Sequence, residues 1–187
     1  MVKIEMKLKA MGLELPPVQA AVASYIPSVR VGELLFLAGT VGERDGKPPY
    51  VGRVGAEVTL EQAQEAARRC GLNHLGMMKA ALGDLDRVER IVRLIGYVNS
   101  APGFTDQPKV INGESDLYVA LWGDKGRHAR AALGISGMWA NAPVETEVIV
   151  QVKPAKKPAG KPDRPVAGKS ARARGGRGAA PARRRRR

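Results

Sequence analysis

Val144-Glu145-Thr146-Glu147-Val148-Ile149-Val150-Gln151-Val152 reads as a strand with one dry face and one wet face. Successive side chains of a strand point to opposite sides. Val144, Thr146, Val148, Val150 and Val152 therefore share one face, and Glu145, Glu147 and Gln151 share the other. A sheet built on such a strand needs a layer packed on its apolar side.

Working outward, His128 to Ile135 and Val88 to Val98 read as two further strands, the second rich in Val and Ile. Ser28 to Thr40 resembles a hairpin turning at Gly32-Glu33, with Leu34-Leu35-Phe36-Leu37 as its apolar run. Residues 42–55 hold four glycines and two prolines and read as a loop around at most a short strand. The covering layer comes from two long helices. Thr59 followed by Gln62 is a capping-box pattern, opening a helix that runs to about Leu82 and ends at Gly83-Asp84. Leu60, Ala63, Ala67, Cys70, His74, Met78 and Ala81 form its stripe. The other helix spans about Asp106 to Trp122, with Pro108 in its first turn, where a missing N–H costs little, and Gly123 as its stop. Residues 3–11 fit either period, and Gly12 favours a short helix. The order is helix, hairpin, helix, strand, helix, strand, strand, which gives an α+β two-layer domain with a mixed sheet against two long helices. Its uncovered sheet face needs a partner, and self-association supplies one.

Charge divides the chain. From Lys153 to Arg187 there are fourteen Lys or Arg and one acid, Asp163, while residues 1–152 hold seventeen bases and seventeen acids. The whole net charge of +13 therefore belongs to the last 35 residues. Those residues have no aromatic, and Val166 is their only branched aliphatic. They cannot bury enough apolar surface to offset the entropy of ordering, so a domain over 1–153 and a disordered basic tail over 154–187 are expected. A neutral body of this size buries roughly 70% of its unfolded surface, enough for a core without staples. Cys70 is the only cysteine, which excludes an internal disulfide, and a reducing cytoplasmic setting is expected. No apolar run approaches the ~18 residues of a membrane span, so no membrane partner is expected.

No phosphate loop or dinucleotide fingerprint occurs, and two histidines with one cysteine do not make a zinc site of the usual spacing. No metal or cofactor is expected. Cys70 and His74 lie on the helix stripe and read as packed residues. His128 and Arg130 share one face of their strand, and Glu145 begins the next strand. Arg130 offers a planar two-toothed donor to a substrate carboxylate, and Glu145 a base for water. From spacing alone an ordinary cross-strand Arg130–Glu145 salt bridge is the first alternative.

Three blocks, in order, resemble the RidA/YjgF family over about residues 10–152. They are Val31-Gly32-Glu33-Leu34-Leu35-Phe36-Leu37-Ala38-Gly39, then Phe104 to Gly113, as in the longer bacterial branch. The third is Arg127-His128-Ala129-Arg130-Ala131-Ala132-Leu133-Gly134 with Pro143 to Ile149. The resemblance implies a chorismate-mutase-like fold, a homotrimer with clefts between subunits, and hydrolysis of reactive 2-imino or enamine acids to 2-keto acids and ammonia without a cofactor. By position it implies Arg130 as carboxylate clamp and Glu145 as the acid orienting water. Tyr25, Gly39 and Asn112 would line the cleft. The chain departs from the usual RidA pattern at Ala38-Gly39-Thr40, Ala131-Ala132 and Met138-Trp139. Two other roles compete: a trimeric binder of small carboxylates without turnover, and a nucleic-acid-associated protein working through its tail. No His pair or Lys-His arrangement supports RNA cleavage.

Deleting residues 154–187 is expected to leave folding unchanged and to remove most affinity for nucleic acid. Binding by the intact chain should fall steeply with salt and be indifferent to sequence, since counterion release drives it and no aromatic can stack on bases. Fluorescence anisotropy of both forms at two salt concentrations checks this; equal binding by the truncated body would place the anion site in the domain.

Overall fold

The computed structural model describes residues 3–18, 23–43 and 46–154. The expected disorder of the basic segment from 155 onward lies outside them. The elements are α1 (Lys3–Ala10), β1 (Ser28–Val31), β2 (Leu34–Val41), α2 (Leu60–Leu82), β3 (Val88–Asn99), α3 (Gln107–Trp122), β4 (Ala129–Ile135) and β5 (Val144–Val152). The five strands form one sheet in the order β1-β2-β5-β3-β4. Only the β3–β4 pair is parallel; the others are antiparallel. The sheet is mixed, as the helix between β3 and β4 requires.

Local signals act where the sequence puts them. The Thr59 hydroxyl accepts from the Gln62 N–H at 3.2 Å, and the Gln62 side chain accepts from the Thr59 N–H at 2.9 Å. Gly83 closes α2 with φ +75°, a left-handed conformation in which a side chain would be strained. Asp106 precedes α3 without making a side-chain cap, and Pro108 occupies its first turn. The loop over 46–58 touches the sheet through Val54, which bridges Ser100 and is fully buried.

β5 is central, between β2 and β3, and alternates between buried and half-buried along its whole length. Val144, Thr146, Val148, Val150 and Val152 face the helices together with Leu35 and Leu37 of β2 and Ile91, Leu94 and Val98 of β3. α2 covers β2 and β5, and α3 covers β3 and β4. Burial of these side chains is the main stabilising term, at about 1.5–3 kcal/mol for each large aliphatic before entropy is counted. The uncovered face presents Val29, Val31, Leu34, Phe36 and Leu133 to solvent. The four on β1 and β2 are direct neighbours, and contiguous exposed apolar surface of that kind marks an interaction face.

The two long helices cross very closely. A Cβ built on Gly113 of α3 would lie 2.0 Å from the Gln64 carbonyl oxygen of α2, and one on Gly71 of α2 would lie 3.0 Å from Glu114 Cγ. Gly113→Ala is therefore expected to force the helices apart and to lower unfolding free energy by about 1–3 kcal/mol, in line with overpacking elsewhere. Urea unfolding checks this, with the exposed substitution Ala120→Ser as the neutral control.

Candidate functional site

Arg130 lies on β4 opposite Leu94 of the parallel neighbour β3, so it faces the helix layer. Its position at the sheet margin leaves it exposed. Three neutral acceptors of the α3 region hold the guanidinium: Nη1 donates to Asn112 Oδ1 at 2.8 Å and Ser115 Oγ at 3.0 Å, and Nη2 donates to the Pro108 carbonyl at 3.2 Å. No carboxylate of the described residues forms a salt bridge with it. Ser115 also meets His128 Nε2 at 3.1 Å, while His128 Nδ1 lies 2.7 Å from the Gly126 carbonyl. A carbonyl only accepts, so Nδ1 carries the hydrogen and Nε2 is left to accept from Ser115. Burial, the larger cause, holds the imidazole below its usual pKa, with the Arg130 charge adding to it. A neutral His128 thus fixes the serine that fixes the arginine.

Glu145 lies on the other face. Its β3 partner is Tyr97, three residues from Leu94, so the carboxylate points away from the helices. Between Leu37 and Thr40 the β2–β5 register shifts, and Ala38 and Gly39 together oppose Glu147. At this bulge a Cβ on Gly39 would lie 2.3 Å from Glu145 Oε1. The missing side chain of Gly39 is the space the carboxylate occupies. Burial, with the like charge of Glu147 behind it, raises the Glu145 carboxyl pKa, and His74 opposes the shift.

The sequence expectations therefore separate into two groups. Arg130 and Asn112 are brought into contact, and Gly39 and Glu145 are brought into contact. An Arg130–Glu145 cross-strand bridge does not form, because β3 stands between β4 and β5 and the two side chains leave opposite faces of the sheet. Tyr25 is exposed on the segment before β1, and its hydroxyl has no hydrogen-bond partner among the described residues. Two surface cavities of about 390 and 410 Å³ lie along the helices, and neither is lined by Arg130 or Glu145. The described residues contain no cluster of metal-ligating side chains. No helix among them is long and apolar enough to cross a membrane.

Residues 5–151 match the family described as "YjgF/chorismate mutase-like, putative endoribonuclease". The chain belongs to the YjgF/chorismate-mutase-like family. It is 39% identical over 151 residues to Protein TCP17 of Trypanosoma cruzi, covering 80% of this chain and 94% of that protein. The solved structure of Atu1372 from Agrobacterium tumefaciens, a protein of unknown function, is 41% identical with a TM-score of 0.75, over 81% of this chain and 94% of the other. A structure from Shewanella oneidensis MR-1, carrying the same endoribonuclease description, is 34% identical with a TM-score of 0.77, over 80% and 99%. The two solved structures share the fold over nearly all of their length.

Sequence reasoning missed one buried constellation. His74 of α2 and Glu114 of α3 are both fully buried, with Nδ1 and Oε1 2.9 Å apart, and the Tyr118 hydroxyl donates to the same Oε1 at 2.6 Å. Burial, reinforced by Glu114, pushes the Tyr118 phenol well above its usual pKa. A signal was present: Glu114 falls on the buried stripe Val110, Ile111, Glu114, Leu117, Tyr118, Leu121, where a carboxylate requires a partner. Cys70 is buried beside this cluster, and burial holds its thiol far from ionisation, so it is a packed residue as expected. Glu114→Ala should cost about 3–5 kcal/mol of stability, because it leaves His74 and Tyr118 without their buried acceptor. Chemical denaturation measures it; a loss below 1 kcal/mol would mean the cluster relaxes to other partners.

Proposed function

We propose that this YjgF-family protein hydrolyses reactive 2-imino acids to 2-keto acids and ammonia in a cleft completed between subunits of a homotrimer. The observation that carries the reading is the state of Arg130: a fixed, exposed guanidinium held by three neutral acceptors and joined to no carboxylate among the described residues. Such a group is prepared for an anionic ligand, and its planar geometry suits a carboxylate. Asn112 and Ser115 set its plane.

In a single chain Arg130 and Glu145 leave opposite sheet faces, so one substrate reaches both only if a second subunit contributes. The exposed apolar face around β1 and β2 supports such an association. Arg130 then binds the carboxylate of the imino acid, and Glu145 of the neighbour takes a proton from water as its oxygen bonds to C2. The C=N π pair moves to nitrogen. As the resulting carbinolamine collapses, its hydroxyl proton passes to water, the C–N bond breaks, and protonated Glu145 returns its proton to the departing ammonia. The iminium carbon is already electrophilic, so positioning supplies much of the rate. A carboxyl pKa raised by burial makes Glu145 a better base than an exposed one.

A second reading, a small-carboxylate binder without turnover, rests on the same arginine. Supplying enzymatically generated 2-iminopropanoate and following its decay to pyruvate separates the two. Arg130→Ala is expected to lower kcat/KM by roughly one to two orders of magnitude, matching the ~1.5–3 kcal/mol of a lost hydrogen bond to a charged group, with the trimer intact. Arg130→Lys should rescue it poorly, since a point charge cannot make the paired contact. Glu145→Gln should bind product yet turn over slowly. Because the ionised form is the base, wild-type activity should fall with decreasing pH at a point above the ordinary carboxylate range. Light scattering should give roughly 60 kDa, three copies of the 20.0 kDa chain; a fully active monomer would sink the shared cleft.

A further inference from the structure

The buried His74–Glu114 pair is used by none of the chemistry above, yet it adjoins the Gly39–Glu145 half of the cleft. His74 Nε2 lies 3.2 Å from the Ala38 carbonyl, and His74 Nδ1 lies 2.9 Å from Glu114 Oε1. The carbonyl can only accept, so Nε2 carries a hydrogen. One more proton is shared between Nδ1 and Oε1, which makes the pair neutral as a whole. Oε1 also accepts from Tyr118, and two donors converging on one oxygen favour the carboxylate over the acid. The ring is then the positive partner. Its Nε2 side touches Ala38, the residue before Gly39, over which the Glu145 carboxyl rests. The negative partner sits on the far side of the ring, and Oε2 of Glu114 is buried with no hydrogen-bond partner among the described residues.

We propose that His74 and Glu114 are positioning residues for the candidate cleft: the pair clamps the Ala38–Gly39 bulge and sets a positive imidazolium behind the Glu145 carboxylate that orients the water. This rests on the assignment of Glu145 to the water. A buried ion pair returns little net stability compared with apolar residues of the same volume, so stability alone does not account for this one. The titratable groups around the ring are Glu114 and Tyr118 from α3 and Cys70 from α2, while β2 offers the Ala38 carbonyl and Glu145 of β5 lies beyond it on the open face of the sheet. Cys70 and Tyr118 are held neutral by burial. Glu145 is therefore the group whose ionisation the ring can influence, and His74 does act to lower its pKa against the larger effect of burial.

The test follows the Glu145 carboxyl directly, by carbon NMR of protein labelled at glutamate side chains, in the full-length protein. Glu145→Gln assigns the resonance. The double substitution His74→Gln, Glu114→Gln replaces the ion pair by neutral hydrogen-bonding groups and leaves no orphaned charge. Its Glu145 midpoint is expected to move to higher pH. Tyr118→Phe removes one donor from Glu114 and draws the shared proton away from His74. It should give a smaller shift in the same direction, and it decides the matter if the double variant does not fold. On 2-iminopropanoate, the same variants should show the acid limb of kcat/KM displaced upward, with kcat reduced and KM little changed. An unmoved Glu145 midpoint in folded variants would overturn the proposal. Absence of turnover by the wild type would defeat the deaminase reading instead, and the carboxyl titration would still decide the role of His74.

Discussion

Everything in this domain hangs on the one-sided burial of β5. As the central strand, it places every even-numbered side chain toward the helix layer and every odd-numbered one on the open face. A shift of one residue would bury Glu145, Glu147 and Gln151 and expose the valines, so the register is strongly enforced. The same alternation that stabilises the core thus holds Glu145 where a carboxylate can meet solvent or a partner. The other strands inherit their registers from β5 directly or through β2 and β3.

The layer above the sheet has a different constraint. α2 and α3 approach so closely that Gly113 has no room for a methyl group and Gly71 only a tight fit for one. That proximity brings His74 and Glu114, one from each helix, within hydrogen-bonding distance in the dry interior. A polar network at such a depth is sensitive to any change in helix separation. It links the helix packing to the Ala38–Gly39 bulge, and through the bulge to the carboxylate on the opposite face.

Family membership accounts for the fold, and it leaves the chemistry to the side chains, since one fold hosts many functions. Here the side chains fall into two half-sites. One is an arginine oriented by Asn112, Ser115 and the Pro108 carbonyl. The other is a carboxylate resting on a glycine. Neither is a complete site for a small imino acid, which is why assembly and chemistry are linked in the proposed function. The strand bulge matters as much as the charged groups, because it makes the space that lets Glu145 lie across the sheet edge of β2.

Local interactions were legible in the sequence. The capping box at Thr59, the stop at Gly83, the proline in the first turn of α3 and the alternation of β5 each depend on residues a few positions apart. Those signals determined the order of elements, the α+β class and the dry face of the sheet. The contacts of Arg130 with Asn112 and of Glu145 with Gly39 were reachable only through resemblance, for they join residues 18 and about a hundred positions apart. Tertiary structure alone decided that Arg130 and Glu145 leave opposite faces. Alternation fixes parity within a strand, but parity between strands depends on the register across β3, which nonlocal pairing sets. It also decided the His74–Glu114 contact. Each helix shows a polar residue on its stripe, and only the distance between the two helices says whether those residues meet.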